Sequence, residues 1–382
     1  MSPSRRQRTL LVLPGAFGPT GGIEMYNRLL IKAFHEITRE RGGTCETLLL
    51  LDDDGHYDER YFDAGLPRPR SFSGSRPRFA AAILERAARL RPGLIVYGHV
   101  NFAPVALATR ALRLTSAQWF ITHGIEVWRR MSAQQRLAVG AADHILAVSD
   151  YTREQLVRHN GVRRGRIGLQ PCALDPFWAD DYARLREPAT AGNKVDATRP
   201  MLMTVARLAD TERYKGIDQV ICALPAIAAK IPGVRYAVIG DGSDRPRLEQ
   251  AARDAGVADR VEFRGRVSPE ALAEAYAESS LFVMPSANEG FGIVFLEAAL
   301  FGKPSIGGNH GGTPEVIVEG ETGRLVSYDD VPGFASTCVA LLADPVLLAA
   351  MGASAHRRLE ERFTYPSFLR SLRAHVHAQL DS

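Results

Sequence analysis

The sequence predicts an α/β protein of two doubly wound domains, each built around a parallel sheet. Apolar runs of strand length alternate with stretches of helical periodicity along most of the 382 residues, as in parallel βαβ units. The alternation occurs twice, and the polar segment between the two series, residues 187–200, contains Pro and Gly and is typical of a linker. We therefore expect an N-terminal domain over 1–186, a C-terminal domain over 201–360, and a helix over 361–382 that packs back on the N-terminal domain.

Ten apolar runs predict the strands of the two sheets. In the first half they are LLVLP, ETLLLLD, GLIVYG, AQWFITHG and HILAVS. In the second half they are PMLMTVAR, VRYAVIGDG, RVEFRG, LFVMPS and KPSIGG. Apolar residues recur every three or four positions in IEMYNRLLIKAFHEITRE and RFAAAILERAARL, which predicts helices between the first strands. We expect two such Rossmann-like sheets to face each other across a cleft at the carboxyl ends of their strands, where ligands bind.

Composition predicts a globular protein, since 46% of the residues are hydrophobic and 24% are charged. No run approaches the roughly 18 apolar residues of a membrane span. The first apolar run, LLVLP, is too short for the core of a signal peptide. The four cysteines have no paired spacing, so they indicate neither a zinc site nor a disulfide framework. We expect a cytoplasmic protein.

Positive charge is concentrated in the N-terminal half. Residues 1–185 contain 26 Lys and Arg against 18 Asp and Glu, whereas the remaining residues contain 21 against 25. Seven arginines lie close together: Arg68, Arg70, Arg76, Arg78, Arg86, Arg89 and Arg91. They would favour an anionic membrane surface or a lipid diphosphate, and a solvated basic face is the alternative. No aromatic residues are interleaved with this charge, so nucleic acid is not an expected partner.

Two glutamates flank the point where a predicted strand gives way to a helix. Glu289 and Glu297 lie in EGFGIVFLEAALFGKP, after a strand that ends at Pro285 and the polar turn SANEGFG. The first N–H groups of a helix attract anions. Residues eight positions apart on one helix are separated by about 12 Å, which suits a nucleotide sugar with its diphosphate between the two carboxylates. The alternative is a surface helix with two solvated acids.

Glycines and cations follow two other predicted strands. Gly21 and Gly22 precede a helix, where residues without side chains let backbone amides reach a phosphate. The pattern is neither a dinucleotide fingerprint nor a P-loop. Arg207 ends a strand and Lys215 begins a helix, so the pair is suited to clamp a diphosphate. Taken alone, the two glycines are explained equally well by a plain turn, and a lone Arg and Lys are more often surface residues.

The motifs become specific when they are read in order. The segments GGIE, THGIE, ARL…ERYKG, VIGDGS, FRGRVSPEAL and PSANEGFGIVFLEAALFGKPSIGGNHGGTPEVI follow one another along the chain. This series resembles family 4 of the glycosyltransferases, which have the GT-B fold and retain anomeric configuration. The resemblance runs from Leu10 to about Phe363, and the E-x7-E helix with GTPEVI after it is its most specific part.

The resemblance implies an activity and its substrates. A hexose would move from a uridine or guanosine diphosphate sugar to the hydroxyl of a lipid-linked or glycan acceptor. Basic side chains would replace a metal ion, and neither a metal nor another cofactor would be needed. We expect a role in the synthesis of a cell-surface polysaccharide or glycolipid, with the protein peripheral on the inner face of the cell membrane.

The resemblance also implies roles for the matched donor-side residues. Four would contact the donor diphosphate: Gly21, Gly22, Arg207 and Lys215. Glu297 would bind the ribose, and Glu289 would bind hydroxyls of the transferred sugar. Four backbone amides would line that sugar and its phosphate: those of Gly290, Phe291, Gly292 and Ile293.

Further roles concern the base, the reacting centre and the acceptor. The backbone around Arg266 and Val267 would meet the base. His123 matches a histidine of the family that lies near the anomeric centre and an outer hydroxyl of the sugar. The acceptor side would include His99 and Glu126, although a structural role for these residues is an open alternative.

Three competing interpretations remain at this stage. Asp52, Asp53 and Asp54 contain a D-x-D arrangement that would bind a divalent cation in a metal-dependent transferase, unless it is a solvated loop. A sugar-nucleotide epimerase of the same architecture would change the sugar nucleotide without a second substrate. A non-enzymatic protein that binds a membrane or a partner would explain the basic face but not the Gly, Arg, Lys and Glu motifs.

Overall fold

The computed structural model describes residues 7–380 except for 19–20, 54, 56, 63–64, 178–180 and 182–197. Contacts between Cα atoms divide the chain into two compact units. The first consists of Met1–Asp175 with Tyr365–Ser382, and the second of Pro176–Thr364. Most of the predicted linker, residues 187–197, lies outside the described residues.

The first unit contains a parallel sheet of seven strands in the order β3-β2-β1-β4-β5-β6-β7. The strands are β1 (Arg8–Leu13), β2 (Thr44–Leu49), β3 (Arg70–Ser71), β4 (Leu94–Tyr97), β5 (Ala117–Thr122), β6 (His144–Ala147) and β7 (Ile167–Leu169). The helices between them are α1 (Gly22–Glu40), α2 (Arg76–Leu90), α3 (Ala103–Ala111), α4 (Ala133–Ala141) and α5 (Asp150–Asn160). The central strands are fully buried, as the continuous apolar runs of a doubly covered sheet require.

The second unit contains a parallel sheet of six strands in the order β10-β9-β8-β11-β12-β13. The strands are β8 (Met201–Val205), β9 (Arg235–Ile239), β10 (Val261–Gly265), β11 (Leu281–Met284), β12 (Ser305–Gly308) and β13 (Gly323–Val326). The helices are α6 (Ile217–Lys230), α7 (Arg245–Asp254), α8 (Pro269–Glu278), α9 (Ile293–Leu300), α10 (Thr313–Val316), α11 (Val331–Leu342) and α12 (Pro345–Arg362). The α/β fold with two parallel sheets is therefore confirmed.

The last helix, α13 (Tyr365–Leu380), packs on elements of the first unit. The ring of Phe368 meets Tyr26 of α1 edge to face, with centroids 5.5 Å apart. Gln170 donates a hydrogen bond of 3.1 Å to the backbone oxygen of Phe368, and Arg373 pairs with Glu40 at 2.7 Å. Among the described residues, no single helix is long and apolar enough to cross a membrane. The consecutive segments Val331–Leu342 and Pro345–Gln379 meet both criteria only as a pair, and that pair is bent.

A pair of histidines joins α13 to the first sheet. His144 Nε2 lies 3.4 Å from His375 Nδ1, and His375 Nε2 lies 2.9 Å from the oxygen of Leu169. A carbonyl oxygen can only accept, so His375 donates through Nε2 and, while both rings are neutral, accepts at Nδ1 from His144. Burial, reinforced by the charges of His375 and Arg166, lowers the pKa of His144 to about 4.

We expect His144 to make the stability depend on pH between 6.5 and 4. Below pH 6.5 the unfolded chain binds a proton on His144 that the folded protein takes up only near pH 4. The unfolded state then binds more protons, so the free energy of unfolding falls as the pH falls, by up to roughly 3 kcal/mol. Urea unfolding at several pH values should show a shallower decline for His144→Asn than for the wild type.

The control for this prediction is His159→Asn, which removes an exposed histidine of α5. That variant should keep the wild-type dependence on pH. Declines of equal size in His144→Asn and the wild type would show that another group is responsible.

Candidate functional site

The two glutamates lie on either side of the start of α9. β11 ends at Met284, and α9 begins at Ile293. Glu289 precedes the helix by four residues, whereas Glu297 is its fifth residue. The predicted order of strand, turn and helix is correct, but the separation of about 12 Å assumed two positions on one helix and therefore does not apply.

Glu289 lies in a loop that surrounds it with backbone N–H groups and one cation. Burial raises the pKa of its carboxyl group, against the opposing influence of the Lys215 charge and of hydrogen bonds from the N–H groups of Phe291 and Gly290. Its backbone oxygen accepts a hydrogen bond of 2.7 Å from Gly312. A half-buried carboxyl group beside a cation can bind hydroxyl groups, which both donate and accept hydrogen bonds.

Two glycines of the GGTPEV segment pack directly against this loop. A Cβ atom on Gly311, whose φ is 73°, would lie 2.3 Å from the backbone oxygen of Glu289. A Cβ atom on Gly312 would lie 2.2 Å from the backbone oxygen of Gly290. Only glycine fits at these contacts. The sequence marked this segment as specific, but it gave these two residues no role, because the contact depends on a neighbouring strand end.

Glu297 is largely buried within the second unit. Its side chain is buried, and Oε2 accepts a hydrogen bond of 2.7 Å from the hydroxyl of Tyr276 in α8. Most residues of α9 are buried with it. The alternative of a surface helix with two solvated acids is therefore wrong.

The two predicted cations share one carboxylate. Arg207 follows β8 and pairs with Glu212 through its guanidinium group. Lys215 precedes α6, and its Nζ lies 2.8 Å from Oε2 of the same glutamate. Burial disfavours the charged form of Glu212, but the hydrogen bonds and charges of Arg207 and Lys215 outweigh it and hold its pKa below the usual range.

The VIGDGS segment and Asp244, which follows it, form hydrogen bonds to the loop that carries these cations. The backbone N–H of Asp244 donates to the oxygen of Leu208 at 2.8 Å, and Leu208 donates to the oxygen of Asp241 at 3.1 Å. The buried carboxylate of Asp244 also accepts hydrogen bonds from Arg213 at 3.1 Å and from Arg247 at 2.7 Å. Neither Glu212 nor Asp244 was singled out from the sequence, where each is one acid among many.

Arg266 and Val267 follow the last residue of β10, Gly265. The backbone oxygen of Gly265 accepts a hydrogen bond of 2.8 Å from Gly240, the residue after β9. The sheet order places β10 two strands from β8, which precedes Arg207. All these residues thus lie at the carboxyl ends of parallel strands of the second unit, the edge where such sheets bind ligands.

In the first unit, Gly21 and Gly22 lie at the start of α1. A Cβ atom on Gly21 would lie 2.6 Å from Oε2 of Glu24, so the Glu24 carboxylate lies beside the helix start. The structure thus places the two glycines where the sequence predicted them.

The aspartate triplet lies nearby, at the end of β2. Both carboxylate oxygens of Asp52 accept hydrogen bonds from backbone N–H groups, those of Ala16, Phe17 and Gly18, at 2.8 to 3.1 Å. Asp53 is exposed, and Asp54 lies outside the described residues. The part of the chain that the structure describes has no group of three or more His, Cys, Asp or Glu side chains suited to a metal ion. Asp52 therefore has a structural role in holding the loop after β1.

His123, His99 and Glu126 come together at the carboxyl ends of β4 and β5. The rings of His99 and His123 are nearly parallel, at 21°, with centroids 6.3 Å apart. His123 Nε2 lies 2.8 Å from the oxygen of Gly98, and its backbone N–H donates to Glu126 at 2.5 Å. Burial lowers the pKa of His99, with the Glu126 charge opposing this and His123 adding to it.

The tautomers of the two histidines follow from their partners. The carbonyl of Gly98 can only accept, so His123 carries a proton on Nε2, and its Nδ1 is the acceptor in the neutral ring. His99 accepts at Nδ1 from the backbone N–H of Asn101 at 3.1 Å, so its neutral ring carries the proton on Nε2. The pair thus offers one ring acceptor and one ring donor.

Two parallel α/β sheets with this order of motifs define a class of glycosyltransferases, and comparison with known proteins confirms that class. A family model described as glycosyl transferases group 1 matches residues 199–344, and one described as glycosyltransferase family 4 matches residues 20–176. The chain belongs to the family 4 glycosyltransferases and has the GT-B fold.

Two mannosyltransferases and one solved structure are among the proteins similar to this chain. A GDP-mannose-dependent alpha-(1-6)-phosphatidylinositol monomannoside mannosyltransferase of Mycolicibacterium smegmatis is 34% identical over 268 residues, 66% of this chain and 68% of the relative. A GDP-mannose-dependent monoacylated alpha-(1-6)-phosphatidylinositol monomannoside mannosyltransferase of Corynebacterium glutamicum is 28% identical over 96% of each chain. The solved structure of sucrose-phosphate synthase from Thermosynechococcus elongatus has a TM-score of 0.77 at 22% identity, covering 98% of this chain and 99% of that one, and shows the shared fold.

Proposed function

We propose that this glycosyltransferase transfers mannose from GDP-mannose, with retention of anomeric configuration and without a metal ion, to a hydroxyl group of a membrane glycolipid. The observation that carries the proposal is the arrangement at the strand ends of the second unit. There the cations Arg207 and Lys215 follow β8, and the charge of Lys215 also acts on Glu289, which follows β11. This arrangement matches a nucleoside diphosphate linked to a sugar.

The proposed mechanism is mainly electrostatic. Negative charge builds on the leaving diphosphate as the glycosidic bond stretches, so Arg207 and Lys215 stabilise the transition state more than the ground state. The N–H groups at the start of α9 add to this effect. The leaving phosphate can take the proton of the acceptor hydroxyl on the face from which it departs, which accounts for retention without a protein base.

The remaining site residues have proposed roles on the donor. Glu289 binds hydroxyls of the mannose, Glu297 binds the ribose, and the backbone at Arg266 and Val267 meets the base. Four amides line the sugar phosphate: those of Gly290, Phe291, Gly292 and Ile293. Gly21 and Gly22 of the first unit present their amides to the diphosphate.

His123 has a proposed role on the transferred sugar, and His99 and Glu126 on the acceptor. The Nδ1 atom of neutral His123 is an acceptor suited to a sugar hydroxyl, because Nε2 is engaged by Gly98. The names of the relatives support the choice of substrates, because both mannosyltransferases act on phosphatidylinositol mannosides with GDP-mannose.

A thermal-shift panel followed by a transfer assay tests the proposal. GDP at a hundred times its dissociation constant would stabilise the protein by about 2.7 kcal/mol, and it should do so at lower concentration than UDP or ADP. NMR of the product should show an α-mannoside, and a chelator should leave turnover unchanged. A β-linked product or loss of activity with chelator would contradict retention or metal independence.

Product analysis also separates the other classes of protein. Conversion of the sugar nucleotide without any acceptor would indicate an epimerase. Absence of any nucleotide-induced stabilisation would indicate a protein that only binds a membrane or a partner. Each of these results would overturn the proposed transfer reaction.

We also propose that the basic surface of the first unit holds the protein on an anionic membrane, on its cytoplasmic side. The charge there is smaller than the seven arginines suggest, because Arg68, Arg86 and Arg89 each pair with a glutamate. Arg76 and Arg78, in the first turn of α2, are exposed, and among the described residues no ion pair involves them. These two are therefore the best candidates for contact with lipid phosphates.

Binding to vesicles tests the membrane proposal. Arg76→Gln with Arg78→Gln should weaken binding to vesicles that contain phosphatidylserine, and salt should weaken it in the wild type, since surface charges are screened over about 10 Å at 0.1 M. Lys230→Gln with Arg253→Gln removes the same charge from exposed positions of the second unit and should have little effect. Equal binding to neutral and anionic vesicles would contradict the proposal.

A further inference from the structure

Glu212 lies between the two cations that we propose bind the donor diphosphate. One of its carboxylate oxygens pairs with the guanidinium group of Arg207, and the other lies 2.8 Å from Nζ of Lys215. The side chain of Glu212 is only 12% exposed. The carboxylate of Glu212 therefore already partly neutralises both cations at the site proposed for the donor diphosphate.

The two ion pairs of Glu212 differ in their exposure to solvent. The side chain of Lys215 is 17% exposed, whereas that of Arg207 is 65% exposed. Exposed ion pairs contribute little to stability, because water screens them and long side chains lose freedom in forming them. We therefore expect Arg207 to exchange Glu212 for a phosphate group, and Lys215 to keep its ion pair with Glu212.

The charge of Glu212 also reaches the neighbouring loop. It opposes ionisation of Glu289 and of the Tyr214 phenol, and for both groups burial acts in the same direction. A diphosphate carries the same sign of charge and would meet the same repulsion. Removal of the Glu212 charge would leave two uncompensated cations facing the phosphates.

We propose that Glu212 is a built-in counter-ion of the diphosphate site, which competes with the nucleoside diphosphate for Arg207 and thereby sets its affinity. This inference rests on the proposed function, in which Arg207 and Lys215 bind the donor. While a diphosphate is bound, Arg207 turns to the phosphate, and Lys215 stays paired with Glu212 and contacts the phosphate as well. The competition weakens binding of the product, so it speeds release of the nucleoside diphosphate after transfer.

Calorimetry on Glu212→Gln tests this inference directly. The variant keeps the size of the side chain and removes its charge, so it should bind GDP about threefold to fivefold more tightly than the wild type at low salt, less than the tenfold that 1.4 kcal/mol represents. Its affinity should also fall more steeply as salt is raised, since more charge is neutralised on binding. Equal or weaker binding by folded Glu212→Gln would overturn the inference.

The matched control is Asp210→Asn, two residues earlier in the same loop. Asp210 is exposed, and among the described residues no ion pair of its side chain is found. This variant changes the net charge by the same amount but should bind GDP within about twofold of the wild type. Tightening by Asp210→Asn equal to that by Glu212→Gln would show a general charge effect and overturn the inference.

A double-mutant cycle separates competition from a structural role. In the Arg207→Ala background, Glu212→Gln should produce only a small part of its tightening, because the exchanged partner is gone. The same tightening in both backgrounds would overturn the proposed competition. A measurement on the wild type does not depend on folding of a variant: the Nε NMR signal of Arg207 should shift when GDP is added, and an unchanged signal would also overturn it.

The results distinguish this inference from the proposed function. Failure of the wild type to bind GDP or UDP would refute the donor site itself, and the inference with it. Binding that Arg207→Ala weakens but Glu212→Gln does not tighten would refute only the role of Glu212.

Discussion

Replacement of either proposed phosphate cation, by Arg207→Ala or Lys215→Ala, is expected to lower turnover at least tenfold and up to about a thousandfold. The physical reason is that charge builds on the diphosphate only as the bond breaks, so these contacts are strongest in the transition state. Loss of one such contact typically costs roughly 3 to 4 kcal/mol of activation free energy. Steady-state kinetics with GDP-mannose and a glycolipid acceptor measure the effect.

The two cation variants should differ in stability. Arg207 is largely exposed, so Arg207→Ala should change the free energy of unfolding by less than about 1 kcal/mol. Lys215→Ala removes the more buried partner of Glu212 and should destabilise the protein more. Lys230→Ala, at an exposed position of α6, serves as the control and should keep wild-type turnover. Wild-type kinetics in either folded cation variant would show that the diphosphate binds elsewhere.

The central strands of both sheets could be predicted from the sequence because they are buried on both faces. Runs such as LLVLP and LFVMP are apolar without interruption, and the residues of β1 and β11 are almost completely buried. Three edge strands, β3, β7 and β13, were not predicted. β3 and β7 have only two and three residues, and so short a segment contains no period to recognise. The four residues of β13, GRLV, include a glycine and an arginine and are only partly buried, so they do not form an apolar run.

The positions of the candidate site residues in the fold could be predicted where they lie at strand ends, but not where they depend on contacts between loops. Arg207 and Lys215 could be found because each lies next to a predicted strand or helix boundary. Glu212 could not, since its importance comes from a loop that brings three charged side chains together. The roles of Gly311 and Gly312 likewise depend on the approach of a loop from a neighbouring strand.

Substitutions of the two glutamates of the E-x7-E motif are expected to differ in their effects on GDP affinity and on turnover. Glu297→Ala should weaken binding of both GDP-mannose and GDP, because the proposed ribose contact is common to both ligands. Glu289→Ala should leave the affinity for GDP within about threefold of wild type, less than the tenfold that 1.4 kcal/mol represents. Its turnover should nevertheless fall about a hundredfold or more, because the proposed contact is with the transferred sugar. Calorimetry with GDP beside a turnover assay measures both.

Tyr276→Phe is the matched control for the buried glutamate. The hydroxyl of Tyr276 donates to Glu297 at 2.7 Å, so Glu297→Ala removes a structural hydrogen bond as well as the proposed ribose contact. Tyr276→Phe removes the hydrogen bond alone, and its loss of GDP affinity should be smaller than that of Glu297→Ala. If Tyr276→Phe weakens GDP binding as much as Glu297→Ala does, Glu297 acts through the packing of α9 and not through the ribose. If Glu289→Ala loses GDP affinity as severely as Glu297→Ala, the two carboxylates do not divide the donor between sugar and ribose.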